Sequence, residues 1–347
     1  MAFDLSKLGV VKNIPKINFL EYTGIIEAQE KWGKTTIAAL YPNAVLLAFE
    51  IGFKAQVVNA KVIPAWDDLV EFIDLLEENR EDIGDSIQTI VFDTAEEAYG
   101  IVAPYVVRKQ SIKDKTKYNE IKDIPFGAGY GLVDQEFKRQ VKRILSMGFT
   151  ILYLTHSKVK NIKPKNGEPY DIYVATMPDR CAQIIYPACD YIIRGERRAV
   201  EDEHGDKKNV RAMIVKGSDD GVTGNRANIN VDIEFDTEEE AMEKFQDLFR
   251  KSIEANIRKA GIKTDISVLE EQQKKEREAE VKKYIESVSG AKGLIAQLDD
   301  LVTGLTPENK KAVISEFKKI LGNNGNYKVI EDEVLLQKCI DFISGLV

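Results

Sequence analysis

The stretch Ala28-Gln29-Glu30-Lys31-Trp32-Gly33-Lys34-Thr35-Thr36 constrains this chain more than any other. An apolar run from Tyr22 to Ile26 precedes it, and a second from Ile37 to Leu40 follows. Strand, loop and helix in that order, with Gly-Lys-Thr opening the helix, form the setting in which backbone N–H groups cradle phosphate. The pattern begins with a glycine, and here Ala28 stands in its place. Alanine serves there if its backbone avoids positive φ. In this reading residues 28–36 line a nucleotide. Lys34 reaches its β- and γ-phosphates, and the Thr35 hydroxyl binds magnesium. Trp32 is unusual before such a glycine and is read as packing, with contact to the nucleotide or a neighbouring subunit left open.

The 347 residues suit one large domain plus a small one. No run of about 18 apolar residues exists, so no membrane span is expected. Met1-Ala2-Phe3-Asp4 lacks the basic and apolar regions of a secretory leader. The cysteines, Cys181, Cys189 and Cys339, are few and odd in number, which fits reduced thiols in a cytoplasm and argues against zinc. A net charge of −8 argues against coating nucleic acid with the whole surface, while leaving room for a local basic groove.

From residue 19 onward strand and helix patterns alternate. Strands are expected at Phe19–Glu27, Ala44–Phe49, Thr89–Phe92, Thr150–Leu154, Tyr191–Arg194 and Val210–Val215. Helices are expected at Lys34–Leu40, Trp66–Glu78 and Asp134–Met147. Such alternation means crossover connections and a mainly parallel sheet covered by helices, the α/β class. The organisation expected is a lead-in over 1–18, the core over 19–235, a charged helical linker over 236–287 and a small helical module over 288–347. Gly290 to Gly293 is read as ending the linker helix.

Further residues fall where a bound nucleotide would need them. Ile87 to Thr94 is an apolar strand ending in Asp93, whose carboxylate would hold magnesium through water. Thr94 follows Asp93, so an acid does not come from the adjacent position. Glu50, after the apolar Val45–Phe49 run, is the candidate base. His156, after Ile151–Thr155, is the candidate γ-phosphate sensor, with Thr155 as the alternative. Lys216 and Arg226, around a Gly-rich turn, are candidate cations for a neighbouring subunit's nucleotide; such cations are worth about 10³–10⁵ in rate in related enzymes.

The succession Glu27–Thr36, Phe49-Glu50, Ile90–Thr94, Leu154-Thr155-His156 and Cys189–Ile193 resembles the phage-encoded, RecA-like P-loop ATPases of the recombinase and single-strand annealing type. The resemblance spans about residues 19–235 and leaves the helical tail unexplained. It implies a RecA-like core, ATP and Mg²⁺ as cofactors, a homo-oligomeric ring or filament, and single-stranded DNA as partner. It also implies DNA-binding loops after the Asp93 and His156 strands. Both regions are basic: Arg108, Lys109, Lys113, Lys115 and Lys117 in the first, Lys160, Lys163 and Lys165 in the second. Cations track phosphates, and nearby tyrosines stack on bases at about 1–3 kcal/mol each. Gly127–Gly131 is read as a hinge.

Three functions follow as expectations: a DNA-stimulated ATPase of recombination or annealing, a replication accessory ATPase (helicase loader or helicase-like motor), or a nucleotide-binding regulator or kinase. The second would work through a protein partner on the C-terminal helices, such as a single-strand binding protein or replication partner. The third lacks an arginine-rich lid in the sequence.

Overall fold

Short apolar runs become the centre of one sheet. The computed structural model describes residues 12–50, 52–165, 167–201, 207–303, 305, 307–322 and 324–344. The strands are β1 (Gly24–Ala28), β2 (Ala44–Ala48), β3 (Asn59–Val62), β4 (Thr89–Asp93), β5 (Thr150–Ile162), β6 (Tyr170–Ala175), β7 (Tyr191–Glu201), β8 (Lys207–Ile214), β9 (Gly224–Asn225) and β10 (Ile233–Phe235). The helices are α1 (Lys34–Ala39), α2 (Trp66–Glu78), α3 (Arg80–Ile83), α4 (Ala95–Gly100), α5 (Val102–Asp114), α6 (Ala128–Ser146), α7 (Asp179–Ala188), α8 (Glu238–Lys259), α9 (Ile266–Thr303), α10 (Pro307–Leu321) and α11 (Glu333–Ser344).

Strands β7, β1, β5, β4, β2 and β3 lie side by side in that order and all run parallel. Strand β5 thus separates the strand before the phosphate loop from the strand ending in Asp93. Every residue of β1 and β4 is buried, as strands covered on both faces require. Beyond β7 the sheet continues antiparallel through β8 and β10, while β6 pairs antiparallel with β5. This is the expected α/β core with a mainly parallel sheet, followed by a helical C-terminal region.

Several local expectations are corrected. Phe19–Glu21 forms a 3-10 turn, not strand. Its Phe19 ring meets Tyr41, Tyr191, Phe245 and Phe249 at centroid distances of 5.3–5.8 Å, so the entry segment belongs to the core. Ile17 is buried as well, and Gln273 Oε1 accepts its N–H at 2.9 Å. Residues 1–11 of the expected lead-in lie outside the described residues. Gly127–Gly131 is no hinge, because Ala128 already opens α6. Arg108, Lys109 and Lys113 lie on α5, and Lys160 lies within β5, so neither basic region is a plain loop.

The chain forms two compact units. One holds the described residues up to Ile73 together with Ile83–Glu276. In it, apolar residues of the sheet such as Ile26, Leu152 and Ile193 share a core with Ile37 of α1 and with Phe245, Phe249 and Ile253 of α8. Residues 236–276 are therefore part of this core and not a linker. Thr237 caps α8 by accepting from Glu240 N, and acids fill the helix's first turn. The second unit holds Asp74–Asp82 and the chain from Arg277 onward. Leu298, Val313, Phe317, Leu336, Cys339 and Ile340 form its core. Helix α9 is continuous, so Gly290 and Gly293 do not end it. Gly290 is instead a close approach, since a β-carbon there would overlap the Glu333 carboxylate.

Candidate functional site

The phosphate loop leaves the sheet at the C-terminal end of β1, the edge where ligands of open α/β sheets bind. Ala28 closes β1 in extended pairing with His156 on one side and Gly195 on the other. Extended backbone needs no glycine, which explains the alanine at this position. The loop then turns through left-handed conformations at Lys31 (φ 57°) and Gly33 (φ 117°). The Trp32 N–H closes a tight turn within the loop, while the N–H groups of Gly33, Lys34 and Thr35 have no protein acceptor among the described residues. Consecutive free donors of this kind form a concave anion site.

The loop is clamped from the β7–β8 side. The Trp32 indole is buried and donates to Glu196 O at 2.9 Å. A β-carbon on Gly195 would overlap that ring. Arg197 donates to Lys31 O at 2.6 Å and Arg211 to Trp32 O at 3.3 Å. Trp32 is therefore packing that holds the loop in shape.

Lys34, Thr35, Glu50, Asp93 and His156, all selected from the sequence, meet at one cavity of about 380 Å³, lined also by Glu30, Lys31, Trp32, Gly33, Thr36, Gly52, Gln56, Arg211 and Glu238. Lys34 Nζ donates to Ala28 O at 2.9 Å and Gln29 O at 3.2 Å, and lies 3.2 Å from His156 Nδ1. Donation to Nδ1 assigns the ring proton to Nε2, which faces Glu50 Oε1 at 3.5 Å. Thr35 Oγ1 donates to Asp93 Oδ2 at 3.0 Å. Thr36 Oγ1 accepts from Gln56 Nε2 at 3.0 Å.

Burial lowers the Lys34 pKa, against the pull of Asp93, Glu96, Glu50 and Glu30. Burial likewise raises the Asp93 carboxyl, against the Thr35 hydrogen bond. Each group is thus poised to gain a counter-charge. Thr35 and Asp93 supply neighbouring hard oxygens, a donor set that fits magnesium. Ala28 and Gln29 contribute carbonyls to Lys34, and Ala28 is otherwise buried in the strand. His156 is steadied from behind, where Glu96 Oε1 accepts its backbone N–H at 3.1 Å and the Thr176 hydroxyl at 2.7 Å.

Lys216 and Arg226 are not at this cavity. Arg226 pairs with Asp190 at 2.9 Å, beside the start of β7, and Lys216 pairs with Asp232 at 3.4 Å. The reason is strand direction. Strand β8 runs antiparallel to β7, with Arg211 opposite Arg197 and Ile214 opposite Arg194. Leaving β8 through Lys216 therefore leads away from the phosphate loop. Arg211, earlier in the same run, is the residue delivered to it. Glu238, Gln56 and Arg197 are also missed by sequence reasoning, since each reaches the loop only through tertiary packing.

Of the basic residues, Arg108 pairs with Asp67, and Lys109 sits 5.3 Å from the Tyr105 ring centroid. Lys113, Lys115, Lys117, Lys160, Lys163 and Lys165 are exposed, with no ion pair among the described residues. On the opposite sheet face from His156, Glu27 is buried and accepts from Tyr186 OH at 2.9 Å. Its Oε1 has no hydrogen-bond partner among the described residues, and burial pushes its pKa up to about 7.

Sheet, loop and cavity together define a P-loop NTPase, a class that binds a nucleoside triphosphate with Mg²⁺. Residues 20–227 match the family model of the AAA domain (AAA_24), and the chain belongs to that family. None of the curated proteins matches it. No described helix is long and apolar enough to cross a membrane.

Proposed function

We propose that this chain hydrolyses ATP with Mg²⁺ and uses the cycle on single-stranded DNA, in recombination, annealing or replication of the phage type. The observation that carries the ATPase part is the convergence of Lys34, the Thr35–Asp93 pair, His156 and Glu50 on one cavity. The free N–H groups of Gly33–Thr35 and the Lys34 ammonium bind the phosphates. Thr35 and Asp93 hold Mg²⁺, which when bound neutralises phosphate charge and orients the γ-phosphoryl group. Glu50 accepts the proton of the attacking water. His156, placed between Lys34 and Glu50, reads the γ-phosphate and passes its presence to the base.

The DNA part rests on charge. On a −8 chain, exposed lysines gather on the β5–β6 ribbon and its connection (Lys160, Lys163, Lys165) and at the end of α5 (Lys113, Lys115, Lys117). The ribbon pairs Lys158–Ile162 with Tyr170–Val174, so Lys158, Lys160 and Tyr170 share one face of it. Phosphates track the lysines, and bases stack on Tyr170, which is 52% exposed. A homo-oligomer would align such ribbons along one strand.

ATP hydrolysis measured with and without single-stranded DNA tests this reading. DNA should raise turnover, and the stimulation should fall with salt. Turnover indifferent to DNA at low salt, but raised by a protein partner, would favour a replication accessory ATPase. The separately cored C-terminal helices would then be the docking element.

A further inference from the structure

Glu238 has no role so far and Arg211 only that of a brace on Trp32 O, yet both line the nucleotide cavity. Arg211 comes from β8, and Glu238 is the first residue of α8. The guanidinium engages both carboxylate oxygens, with Nη2 at 3.2 Å from Oε2. Nη1 also reaches Trp32 O, and Nη2 reaches Asp236 O at 2.8 Å. A β-carbon on Gly33 would stand 3.0 Å from Arg211 Nη1 and 2.9 Å from Glu238 Oε1. The pair therefore rests directly on the backbone that precedes Lys34. The Phe235 ring, 4.9 Å from the guanidinium carbon, supports it from one side.

This placement is electrostatically odd for a phosphate site. A carboxylate beside the loop repels a triphosphate unless a cation neutralises it. An arginine fork binds phosphate and carboxylate with the same bidentate geometry, so the two anions are interchangeable partners. The pair is only partly buried, at 24% and 20% side-chain exposure, so exchanging one anion for another does not require opening the core.

We propose that Arg211 contacts the phosphates of the bound nucleotide from within the same chain, and that Glu238 is a built-in competitor for it. This rests on the nucleotide reading of the cavity. Binding then exchanges the Glu238 carboxylate for phosphate at the Arg211 fork. The released acid opens α8, whose buried face shares the core of α1. Nucleotide occupancy is thereby reported to the first turn of α8.

The test is equilibrium binding of a fluorescent ATP analogue with Mg²⁺ to the full chain, comparing wild type with Arg211→Ala, Arg211→Lys and Glu238→Gln. Arg211→Ala should weaken binding about tenfold or more, the worth of one charge-assisted contact. Arg211→Lys should fall between, keeping charge without the fork. Glu238→Gln should tighten binding several-fold, because the competitor loses its charge. Opposite signs are the signature of competition. If Glu238→Gln weakens binding as Arg211→Ala does, the pair only braces the loop and the competitor is overturned. If Arg211→Ala and Arg211→Lys both bind like wild type, the phosphate contact is overturned. A wild-type chain that binds no analogue at all instead sinks the nucleotide reading, which separates the two failures.

Discussion

The two ends of the β7–β8 ribbon carry similar charges and do opposite things. At one end Arg197 and Arg211 close on the carbonyls of a phosphate loop. At the other, beyond β8 and beside the start of β7, Lys216 and Arg226 are matched to Asp232 and Asp190. Composition does not separate these ends; the direction of β8 does. An antiparallel strand carries its first residues to the ligand-binding edge of the parallel sheet and its last residues away from it.

The largest effect expected is at Lys34. Lys34→Ala should lower turnover at least about a hundredfold, as loss of a preorganised charge in a phosphoryl-transfer site does. Circular dichroism should show the fold unchanged; a variant that keeps near-normal turnover would remove the loop from the chemistry.

Next comes the clamp. Gly195→Ala puts a β-carbon into the Trp32 ring, and overpacking of this kind destabilises by about 1–3 kcal/mol. The denaturation midpoint should fall and nucleotide affinity with it. Normal affinity in a destabilised variant would show that the loop keeps its shape without the indole.

Glu27 gives a pH-dependent effect. Burial raises its carboxyl from 4.5 to about 7. Between those values the folded chain holds a proton that the unfolded chain has lost, so stability is greatest below the unfolded value and falls as pH rises through the folded one. The difference in stability between wild type and Glu27→Gln should therefore change by on the order of 3 kcal/mol at most from pH 4.5 to pH 8. A flat difference would place a compensating cation beside Glu27.

The smallest effects belong to the far end of the ribbon. Lys216→Ala and Arg226→Ala should each alter turnover less than about twofold and stability by less than about 1 kcal/mol, as exposed pairs do. A tenfold fall in turnover would break the comparison and bring a second subunit into the site.

Much of the core was legible because parallel strands are local apolar runs. Ala44–Ala48 and Thr89–Asp93 could be read within a residue or so, and so could the residues at their C-terminal ends. Thr35, Asp93, His156 and Glu50 follow from that, since one edge collects all four. What was not legible depends on pairing. The β5–β6 ribbon, the placement of Arg211 and the role of α8 in the core are set by partners distant in sequence. Ala28 departs from the glycine pattern, and only its extended pairing with His156 and Gly195 accounts for the departure. Residues 127–131 read as a hinge because they are glycine-rich, whereas Gly129 is buried under the Ile121 carbonyl.

The seating of Trp32 has a practical consequence. The chain holds only two tryptophans, and the other, Trp66, stacks on Phe137 and bonds Glu136 within the helical layer. Replacing Trp66 with phenylalanine would leave a single indole, tied by its N–H to Glu196 and adjoining Gly33. Any ligand that reshapes the loop must change that indole's surroundings. The protein thus carries its own optical reporter at the phosphate site, readable without a label.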